Sequence, residues 1–79
     1  MIRLTLYTRP GCHLCDVAKE VMDRVRAATG EPWIEVDITG DPALEEEYGF
    51  RIPVVLLDGK EHGYLRLEED RLLRDLRPH

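Results

Sequence analysis

Residues 2–28 join a strand pattern to a helix pattern through Tyr7-Thr8-Arg9-Pro10-Gly11-Cys12-His13-Leu14-Cys15. No other stretch restricts the fold as much. Ile2, Leu4 and Leu6 alternate with Arg3, Thr5 and Tyr7, the period-two pattern of a half-buried strand. Pro10-Gly11 stops it. From about Cys12 to Ala28 the apolar side chains fall at Leu14, Cys15, Ala18, Val21, Met22 and Val25, which line one face of a helix. His13, Asp16, Lys19, Glu20, Asp23 and Arg24 take the other side. Lys19–Asp23 and Glu20–Arg24 are opposite charges at i,i+4 and are expected to pair along the helix, adding about 0.2–0.5 kcal/mol each. Thr29-Gly30 ends the helix on a residue suited to the left-handed position.

The rest of the chain extends this unit. Trp33 to Ile38 alternates again, with Ile34, Val36 and Ile38 on one side. Asp41 is placed to cap a short helix, with Pro42 at its first position and Gly49 at its end. Arg51-Ile52-Pro53-Val54-Val55-Leu56-Leu57 reads as a strand apolar on both faces, as in the middle of a covered sheet. Asp58-Gly59 is a two-residue hairpin signal, which returns the chain as a polar edge strand over about 61–66. Leu67, Leu72, Leu73 and Leu76 predict a C-terminal helix, ended by Arg77-Pro78-His79.

The order is βαβαββα. A right-handed crossover makes the first two strands parallel, and the short loop makes the last two antiparallel. The expected fold is α/β: a four-stranded mixed sheet with helices on both faces. One domain spans 1–79, because 79 residues hold a single thin core. Trp33, Tyr48 and Tyr64 are expected to pack into it, and Glu45-Glu46-Glu47 to form a solvated helix face.

The two cysteines, Cys12 and Cys15, are the only ones in the chain. Met1 to Tyr7 is too short and too soon polar for a secretory leader, and no apolar run is long enough to span a bilayer. A cytosolic, reducing compartment is therefore expected, where a lone cysteine pair is more often catalytic or metal-binding than structural. A net charge of −5 with scattered basic residues gives nothing to attract a phosphate backbone. Neither nucleic acid nor membrane is an expected partner.

A helix beginning near Cys12 places that thiol at its positive end, where unsatisfied N–H groups favour a thiolate. Arg9 and His13, when charged, add positive potential. Cys15 follows one turn later on the apolar side, within disulfide reach. The pair is asymmetric: an exposed nucleophile and a sheltered resolving thiol. Pro53 adds a second constraint, since proline cannot donate to a central ladder. Either it starts the strand in trans, or a cis Ile52-Pro53 bond bulges the chain and leaves the Ile52 backbone free for an extended substrate.

The run Tyr7 to Cys15, followed some forty residues later by Ile52-Pro53, resembles the glutaredoxin branch of the thioredoxin superfamily. The small glutaredoxin-like proteins of bacteria are the nearest group, and the likeness covers essentially the whole chain. The resemblance implies a thioredoxin-like fold, a cis Pro53 facing the thiols, Cys12 as nucleophile and Cys15 as resolving thiol. It also implies that Arg9, in place of the family's usual lysine, binds a substrate carboxylate. Glutaredoxins usually carry Pro-Tyr between the cysteines, where this chain has His13-Leu14. Where they show Gly-Gly, a spacer and an acid that holds glutathione, this chain reads His62-Gly63-Tyr64-Leu65-Arg66. Thioredoxins proper bury an acid in the strand before the motif, and Ile2 to Thr8 contains none. The resemblance thus carries the fold further than the specificity.

The expected function is thiol–disulfide oxidoreduction. Substrates are protein disulfides or glutathione mixed disulfides, glutathione is the candidate co-substrate, and a thiol reductant or reductase regenerates the pair. No bound cofactor is required, and a monomer is expected. The alternative is a binding module that docks a partner or holds a metal or a dimer-bridging iron–sulfur cluster through Cys12. A structural zinc site usually needs a second ligand pair, and His62 and His79 show no such spacing.

Overall fold

The computed structural model describes residues 2–76, so the terminal Arg77-Pro78-His79 lies outside the described residues. The elements run β1 (Leu4–Thr8), α1 (His13–Thr29), β2 (Trp33–Asp37), α2 (Pro42–Tyr48), β3 (Val54–Leu57), β4 (Lys60–Tyr64) and α3 (Glu69–Asp75). The expected order is observed. The four strands form one sheet in the order β2-β1-β3-β4. β2 runs parallel to β1, whereas β3 is antiparallel to β1 and β4 antiparallel to β3.

Alternation along β1 separates the two faces of the sheet. Leu4 and Leu6 are fully buried and pack with Ala18, Val21, Met22 and Val25 of α1, Val55 of β3, and Leu72 and Leu76. α1 and α3 therefore share one face. On the other, Tyr7 stacks on Tyr48 of α2, with ring centroids 4.7 Å apart. That face is covered only by a helix of seven residues. Ile34, paired with Thr5 on this side, is 41% exposed, and Tyr64, expected in the core, stands 51% exposed on the edge strand.

Several boundaries differ from the sequence reading, each for a local reason. β3 begins only at Val54, because Pro53 has no N–H to offer the ladder; Arg51 and Ile52 lie outside the strand. β4 ends at Tyr64, where Leu65 turns to a φ of 60°. α3 starts at Glu69, so Leu67 packs on the core from the preceding loop. The expected Lys19–Asp23 and Glu20–Arg24 pairs do not form: Lys19 lies 4.0 Å from Asp16 of its own helix instead, and both cations reach to other elements. Lys19 Nζ lies 3.0 Å from Glu35 of β2, and Arg24 Nη2 lies 2.9 Å from Glu69 of α3.

His62, for which the sequence offered no role, joins β4 to α3. Its Nε2 lies 2.7 Å from Asp75 Oδ2, and its Nδ1 lies 3.3 Å from Arg71 Nη2. Arginine can only donate, so Nδ1 accepts and Nε2–H donates to Asp75.

The Asp58-Gly59 hairpin forms as expected, with both residues at positive φ (53° and 82°), the conformation of a type I′ turn. Arg3 donates to both Asp58 carboxylate oxygens at 2.9 Å, tying the turn to the start of β1. A side chain at Gly59 would meet no atom within 4 Å, so its cost is purely conformational. Gly59→Ala is expected to lower stability by about 1–2 kcal/mol, read from urea unfolding midpoints.

Candidate active site

Cys12 is the N-cap of α1. Its backbone is extended (φ −97°, ψ 114°), and its Sγ accepts a hydrogen bond from the Cys15 N–H at 3.2 Å. A serine or aspartate oxygen commonly fills this position, satisfying one of the free N–H groups of the first turn. Here a sulfur fills it, at the positive end of a 17-residue helix. Gly11, at a φ of 73°, makes the left-handed step that carries the chain from β1 into the cap.

Cys12 is half-buried and Cys15 is 1% exposed; both are free thiols. Burial pushes the Cys15 thiol up from 9.0 to about 12, and its hydrogen bond with Cys12 acts in the same direction. A hydrogen bond from the Arg9 backbone and the charge of Lys19 oppose the rise. The folded chain thus holds this proton to higher pH than the unfolded chain does. The resulting stability is complete below about 9 and is lost as pH rises toward about 12. Urea midpoints measured across the alkaline range are expected to fall more steeply for the native chain than for Cys15→Ala.

Cys15, Ile38 and Ile52 form a small buried cluster, joined by Tyr7, Cys12 and Leu44. The Ile52-Pro53 bond is cis, as the resemblance implied, and Pro53 is fully buried. The Leu65 N–H donates to the carbonyls of Arg51 at 3.2 Å and Pro53 at 2.8 Å, on either side of Ile52. The fold therefore brings Cys12, Cys15 and Ile52 together from two distant segments, with Pro53 next in the chain.

The two flanking residues fare differently. His13 is exposed on the first turn of α1. The Arg9 guanidinium crosses to α2, where Nη2 lies 3.7 Å from Glu45 Oε1. A Cβ at Gly49 would clash with the Glu45 backbone carbonyl and sit 3.3 Å from the same nitrogen. Asp37 is held below its usual range by hydrogen bonds from Thr39, and the charge of Arg9 contributes. Arg9, read as the ligand of a substrate carboxylate, is already paired with a carboxylate of its own chain.

Sequence reasoning missed Glu35. It looked for an acid on β1 and found none, whereas the neighbouring strand supplies one. The Glu35 carboxylate accepts from the buried Thr8 hydroxyl at 2.7 Å and from Lys19 at 3.0 Å. These bonds, Thr8's foremost, hold it below the usual carboxylate range. Lys19 stands one helical turn after Cys15. The signal was the shared parity of Glu35 and core-facing Trp33, readable only once β2 is set beside β1.

Among the described residues, no group of three or more His, Cys, Asp or Glu side chains is placed to hold a metal ion. No described helix is long and apolar enough to cross a membrane.

The chain is similar to known proteins. The family model described as Glutaredoxin-like domain (DUF836) matches residues 3–77. An uncharacterized protein of Mycobacterium tuberculosis is 38% identical over 79 residues, covering 94% of this chain and 81% of that protein. The X-ray structure of protein XcR50 from X. campestris is 40% identical with a TM-score of 0.78, covering 95% of this chain and 99% of that one. A mutant thioredoxin from Halobacterium salinarum superposes with a TM-score of 0.62 over 92% of this chain and 69% of its own. At 23% identity that likeness shows the fold alone. The chain belongs to the glutaredoxin-like family and has a thioredoxin-like fold.

Proposed function

We propose that this member of the glutaredoxin-like family is a dithiol–disulfide oxidoreductase, with Cys12 as nucleophile and Cys15 as resolving thiol. One observation carries the reading. Cys12 Sγ caps the helix and receives the Cys15 N–H at 3.2 Å, while Cys15 is buried beneath it. The first sulfur thereby sits half-buried at the positive end of the helix, where a substrate can reach it, and the second is kept as a protonated reserve.

The Cys12 thiolate attacks one sulfur of the substrate disulfide. A Cys12–substrate bond forms as the substrate S–S bond breaks, and the leaving sulfur takes up a proton. Cys15 then gives up its proton and attacks Cys12 Sγ. The Cys12–Cys15 disulfide forms, and the second substrate sulfur leaves as a thiol. The substrate gains two electrons and two protons, which the dithiol loses. A thiol reductant or reductase returns them, and a reducing cytosol keeps the pair in the free form.

No bound cofactor takes part, and a monomer suffices. The substrate is a protein disulfide or a glutathione mixed disulfide. An extended substrate strand would pair with the backbone of Ile52, whose carbonyl the Leu65 N–H passes over for those of Arg51 and Pro53.

Incubating Cys15→Ser with a disulfide-bonded peptide tests the reading. Mass spectrometry under non-reducing conditions is expected to find the peptide linked through Cys12. A Cys12 that reacts with an alkylating agent yet yields no peptide adduct would overturn the reading.

A further inference from the structure

The most conspicuous apolar exposure among the described residues borders this site. Phe50, the only phenylalanine in the chain, is 96% exposed. It rides on a turn closed by the Arg51 N–H donating to the Tyr48 carbonyl at 2.8 Å. A chain with so thin a core would gain by burying that ring, and it does not. Tyr64 and Leu65 are also exposed, at 51% and 41%. Leu65 is bonded through its N–H to Arg51, the residue after Phe50, and holds a φ of 60° that bulky side chains rarely adopt. Such conformations cluster at ligand clamps. Phe50 is two residues from Ile52, which packs with Cys15 and Cys12, so their Cα atoms lie within about 7 Å.

The rim beside Phe50 is acidic. Glu45 and Glu47 of α2 lie 3.7 and 3.8 Å from Arg9 and Arg51, and Arg51 also pairs with Glu61 at 2.9 Å. Glu46 is exposed and makes no ion pair among the described residues. With the exposed Arg66 after Leu65 counted, these four carboxylates stand against three guanidinium groups, leaving a negative balance of one. Glutathione, an anion without a large apolar side chain, matches neither the ring nor the rim.

We propose that Phe50, with Tyr64 and Leu65, docks a polypeptide substrate that carries a large apolar side chain beside its disulfide cysteine and lysine or arginine nearby. The proposal rests on the oxidoreductase reading and names the substrate of that site. The apolar side chain lies against the Phe50 ring, and the basic residues meet Glu46 and its neighbours.

The test uses two synthetic peptide disulfides, one with leucine and lysine beside the cysteine and one with glycine and glutamate, plus the neutral bis(2-hydroxyethyl) disulfide. Phe50 is almost wholly solvated, so Phe50→Ser leaves the core intact. It is expected to lower kcat/KM for the leucine-lysine peptide about tenfold, mainly through KM, and to leave the small disulfide unaffected. Glu46→Lys is expected to reduce the preference between the peptides severalfold.

Equal rates on both peptides, or an unchanged kcat/KM in Phe50→Ser, would overturn the proposal. So would a native dimer that Phe50→Ser dissociates in sedimentation, because the patch would then belong to a second copy of this chain. A native chain that does not reduce even the small disulfide removes the oxidoreductase reading itself, which separates the two failures.

Discussion

Cys12→Ser is expected to lower disulfide reduction by a factor on the order of 10³ or more, while the fold survives. The reaction requires a sulfur anion that can become half of a new S–S bond. A serine hydroxyl supplies neither at neutral pH. Serine is nonetheless one of the best helix N-caps, and Cys12 occupies a cap position with its side chain accepting the Cys15 N–H. The variant therefore keeps this role, and its thermal midpoint is expected to stay close to native. Lost activity with an intact fold assigns the loss to chemistry.

Cys15→Ser has a different signature. The first half of the reaction remains, and the chain stops at a mixed disulfide that only an added thiol can release. Peptide-disulfide reduction by each variant, with thermal unfolding alongside, distinguishes the two roles. A near-native rate in Cys12→Ser would contradict the mechanism, and so would failure of Cys15→Ser to form the adduct.

What could be read from the residues follows from how local the determining interaction is. Alternation in β1, the Pro10-Gly11 break and the one-sided apolar residues of α1 are settled within a few neighbours, so the strand, turn and helix were legible. So was the capping of α2 by Asp41, whose carboxylate accepts the Leu44 N–H at 3.1 Å. The isomer of Pro53 was not legible from physics alone. Both isomers satisfied the missing N–H, and the family resemblance favoured cis.

The charge pairing around the site was not legible, although the place of Cys12 at the start of α1 was. Glu35 reaches Thr8 and Lys19 only because β2 lies parallel to β1 with Leu6 opposite Glu35. Arg9 meets Glu45 only because α2 folds back under the thiol loop. In each case the partner lies at least 16 residues away, chosen by topology rather than by sequence spacing. Ile34 likewise alternates as a buried residue would, yet a seven-residue α2 is too short to cover it.

The second large effect lies in the core under that site. Leu6→Ala is expected to cost about 3–4 kcal/mol, a third or more of the stability available. At roughly 0.05–0.15 kcal/mol per residue, 79 residues provide about 4–12 kcal/mol. Leu6 is fully buried on an inner strand, opposite Val55 of β3 and packed with residues of α1 and of the α3 region. Its neighbours are themselves packed core residues, so the cavity is expected to persist. β1 delivers the chain to the Cys12 cap and supports α1 along its apolar face, so loosening it loosens the site. The Leu6→Ala chain should therefore unfold at a much lower urea concentration, and Cys15 should become open to alkylation under conditions where the native chain shields it. Ile34→Ala, on the open face at 41% exposure, is the control and is expected to cost less than about 1 kcal/mol. If Leu6→Ala and Ile34→Ala unfold at similar urea concentrations, the core lies elsewhere, and the burial of Cys15 does not depend on β1.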